Sequence, residues 1–166
     1  MINRYKPTAL ENKLYTVSRA ARILKLKSNQ IEFVYPCEGG CLIGLWNDAV
    51  FIKKADFLGL LSGDRRQRSK ALKVTQDLFR SEFYRVRNHD KNSLYMLECH
   101  DDNIECECQD YKNLVNDFGN SKVACKHVYA VLSKLGYGTL NDYIKGQEKR
   151  YVEPEYGTYC MAQGHY

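Results

Sequence analysis

The chain has 166 residues and carries 25 Lys/Arg against 20 Asp/Glu, enough for one ordinary domain or two small ones with thin cores. No apolar run approaches the ~18 residues of a membrane span, and the start, "MINRYKPTALENK", lacks the apolar stretch of a secretory signal. We therefore expect an intracellular protein, cytoplasmic or associated with the nucleoid or nucleus. There, seven cysteines point to metal before disulfide.

The charge is uneven. Residues 1–97 hold 18 Lys/Arg against 9 Asp/Glu, while residues 98–166 hold 7 against 11. A basic portion beside an acidic one suggests a polyanion-binding face in the first, nucleic acid above all.

Residues 1–14 show no strong pattern. Val17, Ala20, Ala21 and Leu24 follow helical spacing, with Thr16 or Ser18 as N-cap. Ser28 is placed to cap a second short helix with Ile31, Val34 and Tyr35 on its apolar side, ended by Pro36. "CLIGLW" and "AVFI" read as two strands around a turn at Asn47-Asp48, and "KKADFLGLL" as a helix broken at Ser62-Gly63-Asp64. A basic linking helix is expected over 64–81. A β-meander follows, "EFYRVRN", "SLYMLEC" and "IECEC", then a helix from about Cys125 and a last one near "TLNDYI". The tail is rich in tyrosine.

The chemistry concentrates in two tight pairs, Cys106-Glu-Cys108 and Cys125-Lys-His127, with sixteen residues between them. Three thiolates and one imidazole make a closed tetrahedral set for Zn2+, of the structural kind. Cys106 and Cys108 share a face if the chain is leaving a strand there. Two residues of α-helix turn a side chain by roughly 200°, so Cys125 must lie at or before the first helical turn, with His127 just inside.

"CECQDY" followed by "CKHVYAVL" resembles the SWIM-type zinc finger, Cys-x-Cys, a variable spacer, then Cys-x-His, and the likeness spans residues 82–136. It implies the metal ligands Cys106, Cys108, Cys125 and His127, a short antiparallel sheet before them, and a role in DNA binding or protein–protein contact. "YTVSRAARILKLKSNQIEFVY", a hairpin and "FIKKADFLGLL" resemble the excisionase/MerR-like winged helix-turn-helix over residues 15–61. Two features depart from that pattern. Lys25 stands where the family usually has glycine, which implies a looser turn or a longer first helix, and "PCEGGCLIG" lengthens the link into the wing.

The second resemblance implies a DNA-reading helix presenting Lys27, Ser28, Asn29, Gln30 and Phe33, with phosphate contacts from Arg19, Arg22, Lys53, Lys54, Arg65, Arg66 and Arg68. Cys37 and Cys41, with Cys99 and His100 or Cys160 and His165, are candidates for a second metal site, but incidental thiols are the expectation. No phosphate loop, His-Glu-x-x-His or catalytic constellation stands out, and a non-enzyme without a small-molecule substrate is expected.

The resulting expectation is an α+β chain in four parts. A winged-helix-like DNA-binding domain (1–63) and a basic linking helix (64–81) precede a meander-plus-helix zinc finger (82–145) and a tyrosine-rich tail (146–166). The function expected is that of a DNA-binding regulator or recombination and transposition accessory factor. The alternative is an adaptor that meets a protein partner without touching DNA.

Overall fold

The computed structural model describes residues 5–149. It is mixed α+β, with two antiparallel sheets and six α-helices. Among the described residues no helix is long and apolar enough to cross a membrane.

The chain opens with α1 (Ala9–Leu14), where the sequence showed no strong pattern. A capping box starts it: the Thr8 hydroxyl accepts from the Glu11 amide, and the Glu11 carboxylate accepts from the Thr8 amide. Glu11 is buried, and Tyr5 Oη and Lys54 Nζ reach its carboxylate at 2.6 and 3.0 Å. These bonds, the Tyr5 hydroxyl foremost, hold its carboxyl down at about 2. Next, α2 (Val17–Leu24) is capped by Thr16 as expected. Lys25 ends it in the left-handed region, φ 58°, so the turn is tight despite the missing glycine.

The second helix expected from Ser28 does not form. Ser28–Gln30 is a single 3-10 turn, and β1 (Ile31–Cys37) runs where the helix was placed. The β-branched and aromatic side chains favour extension. A bulge between Ile31 and Phe33 hides the alternation that would have shown it. Pro36 is tolerated because β1 is an edge strand. The partner strands β2 (Gly40–Leu45) and β3 (Asp48–Lys53) form as expected, though the turn between them lies at Trp46-Asn47, one residue earlier than expected.

The linking helix is also corrected. α3 (Lys54–Ser69) runs unbroken through Ser62-Gly63-Asp64, and its last turns hold the basic residues assigned to the linker. The helix packs on α2 and on a later helix, and a bidentate Arg22–Asp64 ion pair at 2.6 and 2.7 Å fastens the expected breaker to α2. Tertiary contact outweighs a glycine's cost of about 1 kcal/mol. The remainder of the linker is β4 (Lys73–Gln76), which pairs with the meander strands β5 (Phe83–Asn88), β6 (Ser93–Cys99) and β7 (Ile104–Cys106) in a sheet ordered β4-β5-β6-β7.

Three helices follow. α4 (Gln109–Phe118) lies between the two ligand pairs, where the sequence reading placed no element. α5 (Lys126–Lys134) and α6 (Leu140–Glu148) stand where they were expected.

The described residues form two hydrophobic cores. The first gathers Leu14, Tyr15, Ala20, Ala21, Ile31, Ile43, Ile52 and Phe57. The second gathers Val86, Leu97, Ile104, Val128, Val131 and Leu132 with Cys106, Cys108 and Cys125. α3 belongs to the first and packs across to α5 in the second. The tyrosine-rich tail beyond Lys149, with Cys160 and His165, lies outside the described residues.

Candidate metal centre

Cys106 ends β7, and Cys108 is the N-cap of α4, in extended conformation at φ −70° and ψ 150°. Cys125 is the N-cap of α5, also extended, and His127 is the second residue of that helix. With the extended cap residue just outside the helix and the histidine just inside it, a one-residue gap brings both members of the second pair to one place. The Tyr111 amide donates to Cys108 Sγ at 3.4 Å, so one thiol both faces the cluster and caps α4. Two helix N-termini therefore converge on the sulfurs, and their positive ends favour thiolate.

The four ligand atoms all lie within 4.8 Å of one another, and all four residues are buried. Cys106 Sγ and Cys125 Sγ stand 3.7 and 3.8 Å from His127 Nδ1. A tetrahedral ion with bonds of ~2.3 Å to sulfur and ~2.0 Å to nitrogen spaces its S and N ligands about 3.5 Å apart. The donors thus sit at nearly the separation an ion requires. The other imidazole nitrogen, Nε2, is buried with no protein partner, and the Tyr95 ring lies against the imidazole at 4.5 Å.

The three thiols act strongly on one another. Hydrogen bonds from the Cys106 and Cys125 thiols hold Cys108 far below the usual thiol range, while the bonds of Cys106 to Cys108 and to Cys125, together with burial, push Cys106 up. For Cys125 the Cys106 thiol acts downward, but its bond to Cys108 and burial outweigh that and raise it to about 12. Three thiolates share this space only when a metal ion compensates their charge. The buried Cys3His group can hold one.

Among the described residues this is the only group of three or more His, Cys, Asp or Glu side chains placed to hold a metal. Cys41 and Cys99 are raised to about 11 and about 12, burial being the first cause, and behave as neutral thiols. Cys37 and Cys41 lie on neighbouring strands at adjacent rather than opposite positions, since Cys37 pairs with Gly40 and Cys41 with Pro36.

The eleven polar and basic residues assigned to nucleic acid part company. Lys27, Ser28, Asn29 and Gln30 sit at the short turn before β1, with no helix to present them, and Gln30 Oε1 accepts from the Lys27 amide at 2.9 Å. Arg22 is committed to Asp64 and Lys54 to Glu11. Lys53 is exposed at the end of β3, and Arg66 lies over the Tyr129 ring at 5.4 Å.

The other three come together. Arg19, Arg65 and Arg68 line one cavity of about 400 Å³ with Lys126, Leu61, Asp64 and Asp110. Arg65 makes a bidentate ion pair with Asp110 at 2.9 and 3.1 Å. Lys126, which the sequence reading did not single out, lies between Cys125 and His127. No protein-family model, curated protein or solved structure matches this chain.

Proposed function

We propose that the chain is a non-enzymatic, zinc-stapled DNA-binding protein, a regulator or recombination accessory factor, whose Cys3His cluster holds Zn2+ as a structural ion. Four protein donors of the softness zinc prefers close the coordination sphere and leave no position for a substrate. The SWIM-type resemblance of the ligand spacing supports the same reading.

The observation that carries DNA binding is the cavity where α2, α3 and α5 meet. Four cations, Arg19, Arg65, Arg68 and Lys126, face two carboxylates there, a surplus suited to backbone phosphate. Recognition through a major-groove helix is not part of this reading, because the residues that would form one are a turn and a strand. Phosphate contacts position a duplex and confer little sequence preference.

The test is duplex binding by the full-length, metal-loaded protein across a salt series. Affinity is expected to fall linearly in log-log form, by about 0.9 per phosphate neutralised. Arg68→Glu and Lys126→Glu are each expected to weaken binding alike on all sequences and to reduce that slope by about one. Undiminished affinity in the double reversal would remove the cavity from the reading.

The adaptor alternative has its own observation. Glu98, Glu105 and Glu107 line a cavity of about 680 Å³ with Phe83, Met96 and Tyr111, which suits a basic, partly apolar peptide. Failure of duplex binding at moderate salt would favour it.

A further inference from the structure

The sheet β1-β2-β3 buries one face against α2 and α3 through Ile31, Cys41, Ile43 and Ile52. Its other face is not polar. The register sets Phe33, Gly44 and Ala49 abreast, then Tyr35, Leu42 and Phe51, then Cys37, Gly40 and Lys53. Side chains alternate along each strand, so these nine positions share the outer face. Lys53 is the only charge among them. Antiparallel sheets with one solvated face ordinarily place polar residues there.

Phe33, Tyr35 and Phe51 are 47, 53 and 49 % exposed, and Trp46 at the adjoining hairpin tip is 83 % exposed. The two phenylalanines lie down over the central strand. A Cβ at Gly44 would fall 2.1 Å from Phe33 Cε1, and one at Gly40 would fall 2.6 Å from Phe51 Cζ. The glycines of β2 thus let the rings form a low, nearly continuous apolar surface.

We infer that this face binds a second copy of the chain, outer face against outer face. Charge selects that occupant. A polyanion needs several cations, and the face offers one. A strongly charged protein would find nothing to pair with. A second copy meets aromatic and aliphatic surface of its own kind, with the two lysines in an outer row rather than the central one.

Area is sufficient for a weak pair. At about 150–250 Å² for a fully bared aromatic residue, the three rings and Trp46 leave about 350–580 Å² exposed. Two facing copies cover about 700–1,160 Å², the size of weak, transient interfaces. The dimer is therefore expected to be reversible.

Sedimentation velocity on the full-length, metal-loaded protein without nucleic acid tests this, over a low to high micromolar series. Trp46, the single tryptophan, reports by its emission. The expected result is a concentration-dependent monomer–dimer equilibrium with a blue shift as dimer forms. Ala49→Glu places a charge on an exposed outward position of an edge strand, and Tyr35→Glu places one in the central row. Each is expected to weaken association by about tenfold or more while circular dichroism shows an intact fold.

Monomer throughout the series would overturn the inference, as would a dimer indifferent to both folded variants. A monomer whose Trp46 emission is quenched by single-stranded oligonucleotide would replace it with a base-stacking platform.

Discussion

Chelation of the metal, or Cys125→Ser, is expected to unfold the C-terminal core and spare the N-terminal one. The magnitude follows from where the ligands sit. Cys106, Cys108, Cys125 and His127 are 5, 3, 0 and 3 % exposed, and they tie together the end of β7 and the first turns of α4 and α5. Binding free energy in small structural zinc sites is about 10–16 kcal/mol near neutral pH. Whole domains are stable by only about 5–15 kcal/mol. A core built around these thiols therefore cannot outlast the ion.

Hydrogen exchange read by mass spectrometry, with zinc content measured on the same samples, is the assay. Protection is expected to collapse in β5, β6 and α5 and to persist in β1, β2 and α2, whose core contains no ligand. The holoprotein should carry about one zinc per chain, released on acidification as protons compete with the ion for its donors. Unchanged protection in α5 after verified metal removal would refute the structural role. Loss of protection in both sheets together would refute the independence of the two cores.

Glu11→Gln is expected to cost about 1–3 kcal/mol at neutral pH in denaturant melts. Its carboxyl is lowered from 4.5 to about 2 in the folded chain, so its contribution is full above 4.5 and is lost as pH falls toward 2. A mutational cost that stays constant through that window would contradict the assignment. Gly40→Ala would bring its Cβ to 2.3 Å from the Ile52 carbonyl oxygen, forcing β2 and β3 apart at about 1–3 kcal/mol. Gly59→Ala, in α3, meets nothing within 4 Å and serves as the control, with melting expected to rise rather than fall.

The Cys3His cluster was legible because soft donors at one-residue gaps fit few backbone settings, and the flanking patterns supplied two of them. Alternation in "EFYRVRN" and "SLYMLEC" marked a strand exit for Cys106. The apolar spacing after Cys125 marked a helix entry. α1 was readable too, since Thr8 and Glu11 make a capping box, but its six residues give no periodic stretch to draw notice. Tyr111, Leu114, Val115 and Phe118 carry the helical spacing of α4, which the variable spacer of the resemblance left blank.

β1 and α3 were not legible, for opposite reasons. In β1 a single bulge at Glu32 shifted the alternation into something close to helical spacing, so Ile31, Val34 and Tyr35 fitted the wrong period. In α3 the local reading of Ser62-Gly63-Asp64 as a breaker was sound. What overrides it is Arg22, forty-two positions away in sequence, and packing on two other helices. Long-range partners of this kind leave no local trace.

The cation cavity is the clearest case of information held only in the folded chain. Charge division along the sequence suggests that the basic N-terminal portion binds polyanions alone and that the acidic remainder is passive. The structure joins the two beside the Cys3His cluster. Lys126 stands between Cys125 and His127, and Asp110, two residues past Cys108, clamps Arg65. An N-terminal fragment would keep Arg19 and Arg68 but would lose both Lys126 and the carboxylate that orients Arg65. A zinc ion held by three thiolates and a neutral imidazole would carry about one net negative charge, so on the proposed reading it would not attract a phosphate directly. Its contribution to the cavity would be positional: it would fix the starts of α4 and α5 against α3, so that Lys126 joins Arg65 and Arg68 of α3 and Arg19 of α2 in one geometry.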